Sequence, residues 1–398
     1  MLHLRRKLSL CAILTLSIGH AIAEDKTKPA SGAVSSPWGD FLEAGFPFFS
    51  SVLDARSSGK RPFKDNLTPR GLVLHVGGNV WACFDTELLR IACIWEKPEG
   101  KAPVTPAALA PGSYHIAGQK TKDGQEDLPQ PEGEILYSFP AVAGWKTGQD
   151  AKPEDPRSPA PDAAEIGKGP LSFASFHRIT RSAEGVVLAY RVGDCLVQER
   201  LTVSAQSQVE RHFTLGPSST GVTLINARKP VHFAASKAEQ QYTVVMAKAG
   251  TPGGTPSYTP WKESVRTKAQ PGDTGSAYAT DVIPLPVSNP WKRNVRLADI
   301  AFVNDKGEAA AVSFDGDVWG ISGLTGSMET VTWRRLTSGL HEPMSIECRE
   351  GELFVFDRNG IWKLLDADQN GDLETHELFC NLFAQTAETR EFPHSLKL

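Results

Sequence analysis

The stretch DADQNGDLETHE, residues 366–377, comes closest to a recognisable chemistry. Asp366, Asp368, Asn370, Gly371 and Glu377 satisfy the calcium-loop pattern D-x-[DN]-x-[DN]-G-x5-E at every specified position. Asp372 and Glu374 add oxygens at the seventh and ninth loop positions. Alternating carboxylate and amide oxygens suit a hard cation that wants six to eight oxygen ligands, and a glycine permits the sharp turn that gathers them. The preceding FVFDRNGIWKLL reads as a hairpin rather than a helix. A strand-flanked calcium loop is therefore expected in place of an EF-hand, with a structural ion. The competing reading is a plain turn, which Asp, Asn and Gly favour without any metal.

Histidines are the next candidates. His75 lies on the face of its strand opposite Leu72 and Leu74, as a surface or hydrogen-bonded histidine would. His115 in PGSYH and His341 in GLHEP sit in turns and are candidates to line a pocket, and His394 follows Pro393. A histidine base needs a partner within hydrogen-bond reach, and spacing alone assigns none. Asp85, Glu87 and Arg90 sit together in CFDTELLRIACIW. Two carboxylates beside an arginine suit acid/base work, yet a charged hairpin tip is more often solvated or salt-bridged. TKDGQEDLP, residues 121–129, is an acidic loop suited to weak cation or sugar binding, or simply to solvent. The chain contains no G-x-S-x-G, Walker loop, G-x-G-x-x-G before a helix, or H-E-x-x-H. Elbow-type serine hydrolases, nucleotide-binding folds and common zinc proteases are thereby set aside.

These groups need elements to hold them. The chain has 398 residues, 40% hydrophobic and 22% charged, which predicts about two or three domains and excludes collagen, coiled coil and full disorder. Arg5, Arg6 and Lys7 precede an apolar run from Leu8 to Ile18, and Ala21-Ile22-Ala23 supplies small residues at a cleavage site. This is the pattern of a signal peptide over residues 1–23, and it predicts export to the periplasm or beyond the cell. Cleavage takes the 42 basic residues to 39 against 46 acidic ones, a balance of −7. A mildly acidic chain without basic clusters argues against nucleic acid as a partner. No later stretch is apolar enough to span, so no transmembrane anchor is expected. Five cysteines remain. Cys83 and Cys93 flank a hairpin and are placed for a bridge, but the odd count and irregular spacing favour buried free thiols. No C-x-x-C-H is present for haem attachment.

Residues 24–36 read as a disordered lead-in. GLVLHVGGNVWACFDTELLRIACIW, residues 71–95, alternates with period two and predicts a strand, a Gly77-Gly78-Asn79 turn and a second hairpin around Asp85–Glu87. Residues 96–170 are rich in Pro and Gly and are expected to wrap the sheet as irregular chain, anchored by Tyr114, Tyr137, Phe139 and Trp145. Short strands follow at 176–180, 185–192, 195–204, 208–215, 222–227, 231–235 and 242–247, a pattern that predicts an antiparallel sandwich over residues 37–285. After Pro290, LADIAFVNDKGEAAAVSFDGDVWGI and EPMSIECREGELFVFDRNGIWKL align as strand, turn, strand, turn. Their tryptophans, Trp319 and Trp362, are 43 residues apart and their first glycines, Gly307 and Gly351, are 44 apart. A period of about 40–50 residues marks propeller blades. The 109 residues from Pro290 supply about two and a half blades, so residues 286–398 are expected to be an incomplete β-propeller. The predicted class is all-β: a sandwich-like N-terminal domain, then that partial propeller.

Residues 71–95, APGSYHIAGQKTKDGQEDLPQPEG, and SMETVTWRRLTSGLHEPMSIECREGELFVFDRNGIWKLLDADQNGDLETHELFCNLFAQTAETREF together resemble a large exported bacterial family. Its members carry an uncharacterised N-terminal domain, then a propeller similar to glucose/sorbosone and membrane-bound dehydrogenases, and often a c-type cytochrome domain. The resemblance implies oxidation of a sugar or alcohol, with pyrroloquinoline quinone and calcium as cofactors and a cytochrome as electron acceptor. It places His394 where the catalytic histidine would fall and makes residues 366–377 the family's calcium loop. A chain with so few blades is expected to be the N-terminal portion of such a protein and inactive alone. The rival expectation is a calcium-stabilised module that binds a sugar, a polysaccharide or a surface without catalysis.

Overall fold

Leu72, Leu74 and Val76 put every second side chain of one strand into the largest apolar core, while Val73 enters a smaller core on the other side with Trp81, Cys83, Cys93 and Trp95. Both faces of this sheet are covered, which is why VWACF and RIACIW are apolar in both phases. The computed structural model describes residues 42–43, 45–105, 128–149, 152–157, 169–383 (apart from 255, 257, 259, 274 and 276) and 395–397. The expected leader, the lead-in, His115, Tyr114, most of the 121–129 loop and His394 lie outside these.

Among the described residues the chain is all-β, with 22 strands in four antiparallel sheets and no helix. The first sheet is a meander of β1 (Phe48–Asp54), β2 (Leu67–Gly77), β3 (Val80–Asp85), β4 (Arg90–Glu96) and β5 (Glu134–Ser138). Its β3–β4 hairpin lies where the sequence predicts it, with Cys83 directly opposite Cys93 and Asp85 opposite Arg90. The irregular stretch after residue 96 contributes more strand than expected. Tyr137 belongs to β5, and Trp145 opens β6 (Trp145–Thr147), which joins β11 (Val222–Leu224) and β12 (Val231–Phe233) in a small sheet. Pro and Gly mask both strands in the sequence, because each is too short to show a period.

The largest sheet has nine strands. It runs from β13 (Gln240–Lys248) through β10 (Gln208–Leu215), β9 (Cys195–Val203), β8 (Gly185–Val192) and β7 (Ala174–Ser182) to β22 (Thr375–Cys380). It then continues through β21 (Gly360–Leu365) and β20 (Glu352–Asp357) to β19 (Ser345–Arg349). At the β7–β22 seam Thr180 faces Thr375 and Arg178 faces Glu377, so one sheet crosses the expected boundary at residue 285. The last sheet holds β15 (Leu297–Phe302), β16 (Ala309–Ser313), β17 (Val318–Ser322) and β18 (Val331–Thr337), with β14 (Val265–Thr267) added beyond β18.

The repeat seen in sequence is a repeat of structure. β15–β18 and β19–β22 are successive four-stranded meanders, and Trp319 and Trp362 occupy the third strand of each, both fully buried. Their first strands meet where Asp299 Oδ2 accepts hydrogen bonds from Ser345 Oγ at 2.9 Å and from the Ile346 amide at 3.0 Å. This is the arrangement of neighbouring propeller blades, set beside sandwich-like packed sheets. No helix among the described residues is long and apolar enough to cross a membrane.

Candidate functional site

The acidic loop connects β21 to β22, so strands flank it, as the sequence indicates. Its backbone turns because Gly371 adopts φ 93° and Gln369 φ 59°, values in the left-handed region that glycine enters without a Cβ penalty. Carboxylates from within the loop fix that turn. Asp366 accepts from the amides of Asn370 and Gly371 at 3.0 and 2.9 Å. Asp368 accepts from the Asn370 amide at 3.2 Å and from its Nδ2 at 2.9 Å. Glu374 reaches back across the loop to accept from the Ala367 amide at 2.8 Å.

The result is convergence. One carboxylate oxygen from each of Asp366, Asp368 and Glu374 lies within 4.8 Å of the others. Glu374 is 8% exposed, and its second oxygen, Oε2, is buried without a hydrogen-bond partner. Three anions at that spacing repel unless a cation joins them, and an all-oxygen set suits calcium chemically. Two further loop acids sit elsewhere. Asp372 turns toward Arg181, 3.6 Å from its Nη2, and Glu377 lies on β22 between Arg178 and Lys363. Arg181 is itself held over the Tyr258 ring at 3.7 Å, so the loop is anchored on its inner side by a cation–π contact.

The second candidate, the β3–β4 hairpin tip, is salt-bridged and buried rather than solvated. Asp85, Glu87 and Arg90 are all within 3% exposure. Arg90 Nε donates to Asp85 at 3.2 Å, while Glu87 accepts from Arg70 at 3.1 Å and Arg157 at 2.8 Å. Burial raises the Glu87 carboxyl above its ordinary value despite both arginines. Arg70 also donates to the carbonyls of Asn381 and Phe383, tying the tip to the chain that follows β22. These charges satisfy one another and leave no open acid/base pair.

His341 is half-buried with its Nδ1 enclosed, and that desolvation, with Arg358 nearby, holds its imidazole far below the ordinary value. It sits beside Asp357, whose carboxylate accepts from the amides of His341, Asn359 and Gly360 and from the Trp362 indole. Burial pushes Asp357 up to about 6 against those four donors. His75 stacks on Trp81 and bonds the Gly78 carbonyl, a satisfied histidine as expected.

The sequence reading missed a fully buried cluster in the first blade. Asp317 accepts from Arg293 Nε at 2.8 Å, Arg335 Nη2 at 2.6 Å and Ser338 Oγ at 2.7 Å. Arg335 extends to Glu43 at 2.7 Å and lies 3.7 Å from the Trp261 ring centroid. Both repeats place a Phe-Asp pair shortly before the buried tryptophan, at Phe314-Asp315 and Phe356-Asp357, but Asp317 stands where the second repeat has Gly360, so no repeated signal marks it.

Residues 82–199, from β3 to within β9, match a family described as a domain of unknown function (DUF6797). No curated protein matches the chain. Among solved structures, the crystal structure of Saccharomyces cerevisiae Sqt1 aligns over 86% of this chain and 88% of its own, at 10% identity and a TM-score of 0.16. A superposition that poor describes neither a shared fold nor a shared function.

Proposed function

We propose that this chain is the calcium-stabilised N-terminal β portion of an exported, dehydrogenase-like protein that oxidises a sugar or alcohol and passes electrons to a haem partner. The observation that carries the reading is the pair of successive blades, β15–β18 and β19–β22, with the acidic loop inside the second. Asp366, Asp368 and Glu374 would hold the ion, and its role is to fix the β21–β22 connection rather than to touch substrate. Support for the redox half comes from the family resemblance. The chain has no C-x-x-C-H, so a c-type haem would belong to a partner domain or protein. His394, the histidine a quinone site would use, lies outside the described residues.

The alternative is a non-enzymatic carbohydrate- or surface-binding module, favoured by the same loop, which needs only a structural ion. The test is dye reduction by the whole native protein to which this portion would belong, the portion alone being expected inactive, with aldoses or primary alcohols, calcium and pyrroloquinoline quinone supplied. Reduction abolished by EDTA supports the dehydrogenase reading. Retention on an immobilised polysaccharide without dye reduction under any of these conditions favours the module.

A further inference from the structure

The nine-stranded sheet carries a groove of about 380 Å³ on the outer side of β8, β9, β10 and β13. Strand register decides what lines it. Gln198 on β9 faces Thr214 on β10, which faces Gln241 on β13. Two residues along each strand, and so on the same face, Arg200 faces His212, which faces Thr243. The floor is therefore two parallel rows of hydrogen-bonding side chains crossing the strands. The rows lie roughly 7 Å apart, and the two outer members of each are roughly 10 Å apart across two strand spacings.

The rows are preorganised and carry no net charge. His212 is clamped from both sides, with Nε2 2.8 Å from Thr202 Oγ1 and Nδ1 3.1 Å from Thr243 Oγ1. Arg200 is paired with Glu184 at the rim, so its charge is cancelled within the groove. Below the floor, Glu199 is paired with buried Arg211, which stiffens the strands from the core side.

We propose that this groove binds a neutral oligosaccharide lying across the strands. Amides and hydroxyls are the groups that exchange hydrogen bonds with sugar hydroxyls in both directions, while His212, with both ring nitrogens taken by threonines, braces its row. The absence of net charge in the groove disfavours polyanions. The span from Gln198 to Gln241 matches roughly two pyranose rings in length. Each row then meets one edge of the sugar chain. The inference rests on the sugar-ligand part of the proposed function and gives it a location separate from the calcium loop, since β7 lies between β8 and the loop-bearing β22.

The experiment is calorimetric titration of the full chain with cellohexaose, xylohexaose, mannohexaose and maltohexaose, with a polygalacturonate fragment as the charged control. At least one neutral hexaose is expected to bind and the polyuronate not to. The double variant Gln198→Ala/Gln241→Ala is expected to lose about tenfold in affinity or more, from two or more hydrogen bonds removed. Lys363→Ala, on β21 outside the groove, is expected to bind as the parent does. Circular dichroism and melting temperature confirm that each variant folds. No binding by any neutral hexaose at millimolar concentration overturns the proposal, as does unchanged affinity in a folded double variant. If a hexaose binds but the variants do not weaken it, the sugar ligand stands and this groove falls. An EDTA-sensitive melt without sugar binding refutes the groove and leaves the calcium reading intact.

Discussion

Chelation should soften this protein by an amount the loop geometry bounds. Carboxylates of Asp366, Asp368 and Glu374 lie within 4.8 Å of one another. Each like-charged pair at that spacing costs between about 1 kcal/mol in water and about 3 kcal/mol at an effective dielectric near 20. A cation removes that repulsion and adds binding energy, and at a free ion concentration of about 100 Kd the linkage contributes about 2.7 kcal/mol. For a fold of this size, with an unfolding entropy of about 2.1 cal/mol/K per residue, a change of that order moves the melting temperature by roughly 3–4 °C. The assay is a thermal melt in millimolar calcium, in EDTA, and in EDTA with calcium restored. Parent protein should drop by that amount in EDTA and recover fully. Asp368→Ala should melt alike in both conditions. In EDTA it should melt no lower than the parent, because the substitution removes two of the three like-charge repulsions. Equal melting of the parent with and without chelator would refute the reasoning, and so would an Asp368→Ala protein that still responds to EDTA.

Other outcomes follow from buried groups away from the loop. Asp317→Ala leaves Arg293 and Arg335 buried with their shared carboxylate gone, and should cost about 3–5 kcal/mol, read by urea unfolding. A loss under about 1 kcal/mol would mean that the cluster is not the clasp of its blade. Burial alone would push the Asp317 carboxyl up, but Arg293 and Arg335 outweigh it and hold the group below its ordinary 3.8. A depressed folded value means that this stabilisation is present above about pH 3.8 and is lost as pH falls through the folded value. The parent's urea midpoint should therefore fall in that acid range more than that of Asp317→Ala. Of the five cysteines after residue 23, Cys83, Cys93 and Cys195 are buried and Cys348 and Cys380 are half-buried. Burial pushes the Cys93 thiol up to about 12. A disulfide reagent at pH 8 should label Cys348 and Cys380 first and the other three only on unfolding, as read by mass mapping. Prompt labelling of Cys83 or Cys93 in folded protein would contradict this packing.

The sequence by itself determined what is local. Period-two alternation and the Gly77-Gly78 turn located β2–β4, the 43-residue spacing of Trp319 and Trp362 marked two meanders of one design, and the Asp366–Glu377 string specified a tight acidic turn between strands. Each signal is written in neighbouring residues, because turn chemistry and side-chain alternation act over a few peptide bonds. The tertiary structure decided what depends on chain brought in from far away. β7 and β22, nearly two hundred positions apart, share a seam that no periodicity encodes. As a string the tip acids Asp85 and Glu87 read equally as solvated or salt-bridged, and the fold decides for buried salt bridges because Arg70, Arg90 and Arg157 arrive to neutralise them. The calcium-loop string treats its acids alike. Only the fold, by giving Asp372 to Arg181 and placing Glu377 in a strand facing Arg178, leaves Asp366, Asp368 and Glu374 to converge. A carboxylate goes to the strongest positive partner within reach, and that reach is set by packing.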